Sequence, residues 1–190
     1  MLLVVRHGET EPNARGLLLG RADPPLTDLG RRQAHAVVAA VPQPAAVISS
    51  PLRRAQETAA AFGLPIEVDE RWVELDYGEF DCQPPSAVPE EVRDRWRRDP
   101  SFAPSGGESL TALATRVGAA CAAAIRGAAE STIVVVTHVS PIKAALAWAL
   151  DVPVDIAWRM YVEDASVSRI DVGPAGPMVR WFNRGFPSVP

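Results

Sequence analysis

Residues 2–10 read LLVVRHGET. The run from Leu2 to Arg6 is apolar until its last position, does not alternate, and is followed at once by Gly8, which is the pattern of a short strand buried on both faces. Two later runs repeat it: Ala45 to Ser49, and Thr132 to Thr137, whose sequence TIVVVT is rich in β-branched residues. Parallel strands need crossover connections, and the intervening sequence carries helix signals. A Gly- and Pro-rich loop follows the first strand to about Pro25. Thr27 then stands as the cap of a helix from Asp28 to about Val41, stopped by Pro42. Ser50 and Pro51 read as N-cap and first residue of a second helix that runs to Phe62 and ends at Gly63. Ser105-Gly-Gly-Glu108, with capping-box spacing, and then Ser109 precede an Ala/Leu/Val pattern to about Arg126. Ser140 and Pro141 repeat the cap-then-proline device before Ile142 to Leu150. Strands alternating with helices predict an α/β fold, a three-layer α/β/α sandwich around a mostly parallel central sheet. Ala165–Val172 and Met178–Asn183 read as added strands or an edge hairpin, turning at Gly173 to Pro177.

With 190 residues, 47% of them hydrophobic, the chain has the size and apolar content of a single domain spanning 1–190. Its least regular part is Asp81 to Pro104, which holds five prolines around a short charged helix, Glu90 to Arg98. This stretch is expected to be an excursion beside the site that sets specificity. A net charge of −4 gives no overall attraction to nucleic acid or to an anionic membrane. Any affinity for an anionic ligand must therefore come from a local cluster. No window approaches the ~18 continuous apolar residues of a membrane helix, and the N-terminus lacks the basic start and long apolar core of a secretory signal. The expected location is the cytoplasm. Cys82 and Cys121 form neither a disulfide framework nor a metal-ligand spacing, and three histidines without a ligand-spaced cluster predict no metal and no other cofactor.

In open α/β sheets ligands sit beyond the carboxyl ends of the strands, so the residues after each strand are the ones to inspect. The first strand leads into Arg6-His7-Gly8-Glu9-Thr10, the second into Ser50-Pro-Leu-Arg53-Arg54, and the third into Thr137-His138. Two histidines and several arginines thus meet at one edge. Phosphoryl transfer requires an in-line nucleophile, fixed positive charge on the equatorial oxygens and a proton for the leaving oxygen. A neutral imidazole can attack phosphorus and form a phosphohistidine that water later hydrolyses. Arginine binds phosphate through a planar fork and stays charged, and Arg54, near the start of its helix, adds that helix's N-terminal dipole. Gly8 would let the backbone come close to a ligand.

Arg6-His7-Gly8-Glu9-Thr10 resembles the signature of the histidine phosphatase superfamily, branch 1, which includes the cofactor-dependent phosphoglycerate mutases. The likeness continues in order through Asn13, Gly20 to Ala34, Ser50-Pro-Leu-Arg-Arg54-Ala55 with Thr58-Ala59, Glu74-Leu-Asp-Tyr-Gly78, Gly106-Gly-Glu108-Ser109 and Thr137-His138. Within the family it is similar to the phosphatase domain fused to a ribonuclease H module in some actinobacteria. The resemblance implies a phosphoglycerate mutase-like fold with His7 as the phosphorylated nucleophile, Arg6, Arg54 and His138 on the phosphoryl oxygens, Asn13 adding a hydrogen bond, and Glu74 as general acid and then base. Thr10, in the first motif, and Arg21, in the first loop, are further candidate substrate-binding residues. Two departures stand out. Val139 follows the second histidine where the family often has Gly, and Phe80-Asp81-Cys82 replaces the usual aromatic-Glu-Gly.

The expected activity is hydrolysis of a small phosphomonoester without metal, with a small phosphorylated metabolite as the partner. Two other readings stay open: a mutase that returns the phosphoryl group to another hydroxyl, and a silent binding module that has kept the fold. Oligomeric state is not legible from the sequence, a homodimer being one option. Arg53 reads as a solvated neighbour of Arg54, and His35 as an exposed helix residue. One of Arg93, Arg95, Arg97 and Arg98 is a candidate for a second anionic group on the substrate, as is Arg15. The Leu17-Leu18-Leu19 run reads as packing that could also wall the ligand.

Overall fold

The computed structural model describes residues 1–186. Its strands are β1 (Leu2–Arg6), β2 (Ala46–Ser49), β3 (Ile66–Val68), β4 (Ile133–Thr137), β5 (Val167–Gly173) and β6 (Gly176–Arg184). They form one six-stranded sheet in the order β3-β2-β4-β1-β5-β6. The first four are parallel where they pair, while β5 and β6 add an antiparallel hairpin beside β1. The helices are α1 (Glu11–Ala14), α2 (Asp28–Ala40), α3 (Arg53–Ala60), α4 (Glu90–Arg98), α5 (Leu110–Ala128) and α6 (Val139–Leu150).

The uninterrupted apolar runs are explained by two cores. Leu2 and Val4 of β1 and Ile133 and Val135 of β4 pack with α5 and α6, whereas Leu3, Val5, Val134 and Val136 pack on the other face with Val37 of α2 and Ala55 and Ala59 of α3. Successive strand residues point to opposite faces, so covering both faces requires every position to be apolar. Each such side chain contributes roughly 1.5–3 kcal/mol of hydrophobic stabilisation.

Register places the site. Arg6 lies opposite Thr137 across β1 and β4, and the amide of His7 donates to the Thr137 carbonyl at 3.0 Å. The Ser50 amide donates to Val136 O, also at 3.0 Å. Three strand ends therefore release His7, Ser50 and His138 at one edge of the sheet.

Several local expectations are corrected. Ser50 and Pro51 do not open a helix: α3 starts at Arg53, whose amide donates to the Asp23 carboxylate at 2.6 Å, so a residue from the first loop caps this helix. The helix also stops at Ala60, with Gly63 beyond it at φ +67°. Ser140 is not a cap either. It is the second residue of α6, and its amide donates to the buried Glu74 carboxylate, 3.1 Å from Oε1. Pro141 is then the third residue, still in the first turn, where amides lack intrahelical partners. Of the two serines in the start signal of the longest helix, Ser109 caps α5, accepting from the Ala112 amide. The loop after β1 contains α1, closed by a Thr10–Asn13 capping box. Gly8 also serves a close approach within the chain: a Cβ there would come within 2.3 Å of Gly30 O, so the glycine lets the loop backbone lie against α2.

Candidate active site

His7 is 2% exposed. Its Nδ1 lies 2.7 Å from the Gly8 carbonyl oxygen. A carbonyl oxygen only accepts, so Nδ1 carries the proton and the lone pair of the neutral ring sits on Nε2. Arg54 Nε donates to that Nε2 at 3.2 Å. Burial, then Arg54 and Arg6, hold the imidazole well below its ordinary pKa, which keeps it neutral and nucleophilic.

Arg54 is fully buried and fixed by two loop carbonyls, Nη1 to Ala22 O at 2.6 Å and Nη2 to Gly20 O at 2.8 Å. Arg6 is held from the other side of the chain by Val162 O at 2.7 Å and the Asp164 carboxylate at 2.6 Å. His138 stands beside His7, ring centroids 5.0 Å apart, with Nε2 2.7 Å from Ser50 Oγ. It too is pushed well below the usual imidazole range by burial, then by Arg54 and His7. Two nitrogens of the cluster, Arg6 Nε and His138 Nδ1, are buried without a hydrogen-bond partner among the described residues. Buried polar atoms are nearly always paired, so this pair calls for an explanation.

Glu74, 3% exposed, accepts from the amides of Leu75 at 2.7 Å and Ser140 at 3.1 Å. Burial raises its pKa against those hydrogen bonds and the Arg54 charge, so a protonated fraction persists where an exposed carboxylate would be ionised. The segment carrying it is pinned from outside by Arg116 of α5, whose guanidinium donates to the carbonyls of Arg71, Val73 and Glu74 and pairs with Glu108 at 2.7 Å. Thr137 Oγ1 adds a bond to Trp72 O. Arg116 was not singled out in the sequence; its signal is that it and Arg126 are the only charged residues in an otherwise apolar helix.

The remaining candidates divide. Thr10 is buried and bonded to Asn13 Oδ1, so Asn13 closes the α1 cap. Arg21 is partly exposed, facing Glu108 at 3.5 Å and Asp76 at 3.9 Å. Arg15 pairs with Glu11 at the surface, and Arg53 with Glu57. Arg93 and Arg97, with Leu18, line a cavity of about 290 Å³ that also borders Leu75 and Ser140, and so adjoins Glu74. Arg95 instead lies over the Phe102 ring. His35 is exposed. Among the described residues no group of three or more His, Cys, Asp or Glu is placed to hold a metal ion, and no helix is long and apolar enough to cross a membrane.

The second departure acquires a physical meaning. The Asp81 carboxylate accepts from the amides of Gly20, Arg21 and Ala22, at 2.7, 3.0 and 2.8 Å, and so shapes the loop whose carbonyls hold Arg54. Cys82, next to it, sits at φ +60°, a left-handed conformation that favours glycine. Cys82→Gly is expected to stabilise the fold by about 0.5–1 kcal/mol, raising the melting midpoint by roughly 1–4 °C. A lowered midpoint in a calorimetric scan would contradict that. Val139, the first departure, lines the cavity wall.

Comparison with known proteins gives a consistent picture. The profile described as histidine phosphatase superfamily (branch 1) matches residues 2–185. The bifunctional protein Rv2228c of Mycobacterium tuberculosis is 37% identical over 177 residues, 88% of this chain and 49% of that protein. The chain thus spans about half the length of the first curated relatives it matches. The Yersinia pestis protein named "Probable phosphoglycerate mutase GpmB" is 36% identical over 180 residues, 88% of this chain and 83% of its own. Among solved structures, mycobacterial glucosyl-3-phosphoglycerate phosphatase Rv2419c, complexed with VO3, superposes with a TM-score of 0.88 at 28% identity, covering 97% of this chain and 99% of that one.

Proposed function

This chain belongs to branch 1 of the histidine phosphatase superfamily, and on that premise we propose that it is a metal-independent phosphatase that hydrolyses a small phosphomonoester through a phosphohistidine at His7, all within a single domain. The observation that carries the reading is the pairing of a neutral, Nδ1-protonated His7 with two unpartnered buried nitrogens, Arg6 Nε and His138 Nδ1. An anionic tetrahedral group beside Nε2 would satisfy both. If Ser50 donates its hydroxyl proton to His138 Nε2, Nδ1–H of that ring faces a phosphoryl oxygen as a donor. Arg54 shifts from the lone pair of His7 to the developing charge, its fork already fixed by loop carbonyls.

His7 Nε2 attacks phosphorus and the bond to the ester oxygen breaks. Glu74, protonated, gives its proton to that oxygen. As carboxylate it then takes a proton from the water that attacks the phosphohistidine, which returns His7 and releases phosphate. Asn13, whose cap bonds use Oδ1 and leave its Nδ2 donors for a ligand, adds a hydrogen bond to the phosphoryl group, and Arg21, partly exposed, lies further out.

The pH dependence follows from the two shifts. Both histidines stay neutral as pH falls through 6.5, since their folded pKa values lie well below it, and Glu74 keeps its proton above its usual 4.5. kcat/KM is expected to be highest on the acid side of neutrality and to fall as Glu74 ionises on raising the pH. That alkaline limb is expected to vanish in Glu74→Gln; its persistence unchanged would remove Glu74 from the acid role.

The test is phosphate release from a panel of sugar phosphates, phosphoglycerates, nucleotides and p-nitrophenyl phosphate in excess EDTA. Release that survives EDTA supports the proposal. Strict dependence on an added divalent metal overturns it, and interconversion of 2- and 3-phosphoglycerate without release would make the protein a mutase.

A further inference from the structure

The cavity beside Glu74 is built from two unlike kinds of side chain. Its body is apolar, and one wall of it is aromatic: Tyr77, Trp96 and Trp158 meet edge to face, centroids 5.8 Å apart for the first pair and 6.0 Å for the second. Such a wall accepts a flat apolar body and offers it few hydrogen bonds. Into the same cavity comes Lys143, the only lysine in the chain, half-buried on α6 one turn after the Ser140 amide that binds Glu74. Every salt bridge among the described residues uses an arginine, so Lys143 has none. A half-buried ammonium without a salt bridge costs stability, and burial biases it toward the neutral form against the pull of the nearby Glu74 carboxylate. Of the other cations at this cavity, Arg97 is exposed and weakly paired with Asp94 at 3.9 Å, whereas Arg93 is also half-buried and outside every one of those salt bridges; it is carried on the short α4, while Lys143 shares the first turns of α6 with the Ser140 amide that binds Glu74.

Resting on the phosphatase reading, we propose that the cavity is the leaving-group subsite and that Lys143 reads an anionic group on the alcohol. The substrate class is then a phosphomonoester whose alcohol carries a ring-sized apolar body bearing a carboxylate or similar anion. The ring lies against the Tyr77–Trp96–Trp158 wall and its anion reaches Lys143, while the ester oxygen faces Glu74.

Esters of one shape that differ only in charge provide the test: the 3- and 4-carboxyphenyl phosphates against their carboxamide isosteres. The protein is expected to favour the better carboxylate of these pairs by about tenfold or more in kcat/KM, tenfold being what ~1.4 kcal/mol of differential binding supplies. In Lys143→Met that ratio is expected to fall to near one, and Lys143→Arg to keep most of it. A purely structural lysine that tunes Glu74 would instead shift the pH profile of both members of a pair equally and leave the ratio alone. An unchanged ratio in Lys143→Met, with His7-dependent release still present, overturns this inference and leaves the phosphatase reading standing. Absence of release from every ester in the unmodified protein overturns both.

Discussion

Replacing His7 by alanine is expected to lower kcat/KM for every phosphomonoester by about four orders of magnitude or more, the scale on which loss of a covalent nucleophile acts, while the protein stays folded. No neighbour can take over the attack. His138 shares the pocket, but its Nε2 is already bonded to Ser50, and both rings are fixed by burial. The structural cost is bounded. Arg54 loses one acceptor but keeps its bonds to Gly20 O and Ala22 O, so the penalty is about 1–3 kcal/mol. Part of it is returned in acid. His7 has a folded pKa well below 6.5, so above that pH it costs nothing, whereas below it the unfolded chain binds a proton that the folded one refuses and stability falls. Removing the ring removes that loss. A His7→Ala protein that melts cooperatively and still releases phosphate at a tenth of the parent rate would exclude His7 as the nucleophile.

The second large effect is a split. Glu74→Gln is expected to reduce kcat/KM for alkyl phosphates by roughly 10²–10³, and for p-nitrophenyl phosphate by less than about tenfold, because an activated phenolate leaves without a proton. The glutamine oxygen can still accept from the Leu75 and Ser140 amides, so the segment and the start of α6 are retained. kcat/KM is the quantity to read, since it ends at the first irreversible transfer and does not include hydrolysis of the phosphohistidine. Equal losses for both esters would assign Glu74 a structural or binding role.

The sheet was legible because β1 and β4 are buried on both faces and β2 is buried on one and partly covered on the other, so their apolar runs are uninterrupted and their ends are marked by the polar residues that follow. The ordering of His7, Ser50 and His138 at one edge follows from that alone. What stayed hidden depends on partners far away in sequence. First-turn amides of α3 and α6 are satisfied by Asp23 and Glu74, so the nearby Ser-Pro pairs do not mark the helix starts. β3 is a three-residue edge strand of the sheet, too short to show a period. Arg116 acts on carbonyls more than forty residues away, and a local pattern contains no trace of those acceptors. The close approach of Gly8 to the backbone of Gly30 is likewise set by a partner far along the chain.

The most direct test of the central claim is to trap the phosphoenzyme. The protein is mixed with a substrate carrying labelled phosphate, quenched within one turnover in alkali, and mapped by mass spectrometry. The account predicts label on His7, stable in alkali and lost in acid as a phosphoramidate is, and none in His7→Ala. Turnover with no labelled protein at any quench time, or label on another residue, would contradict it.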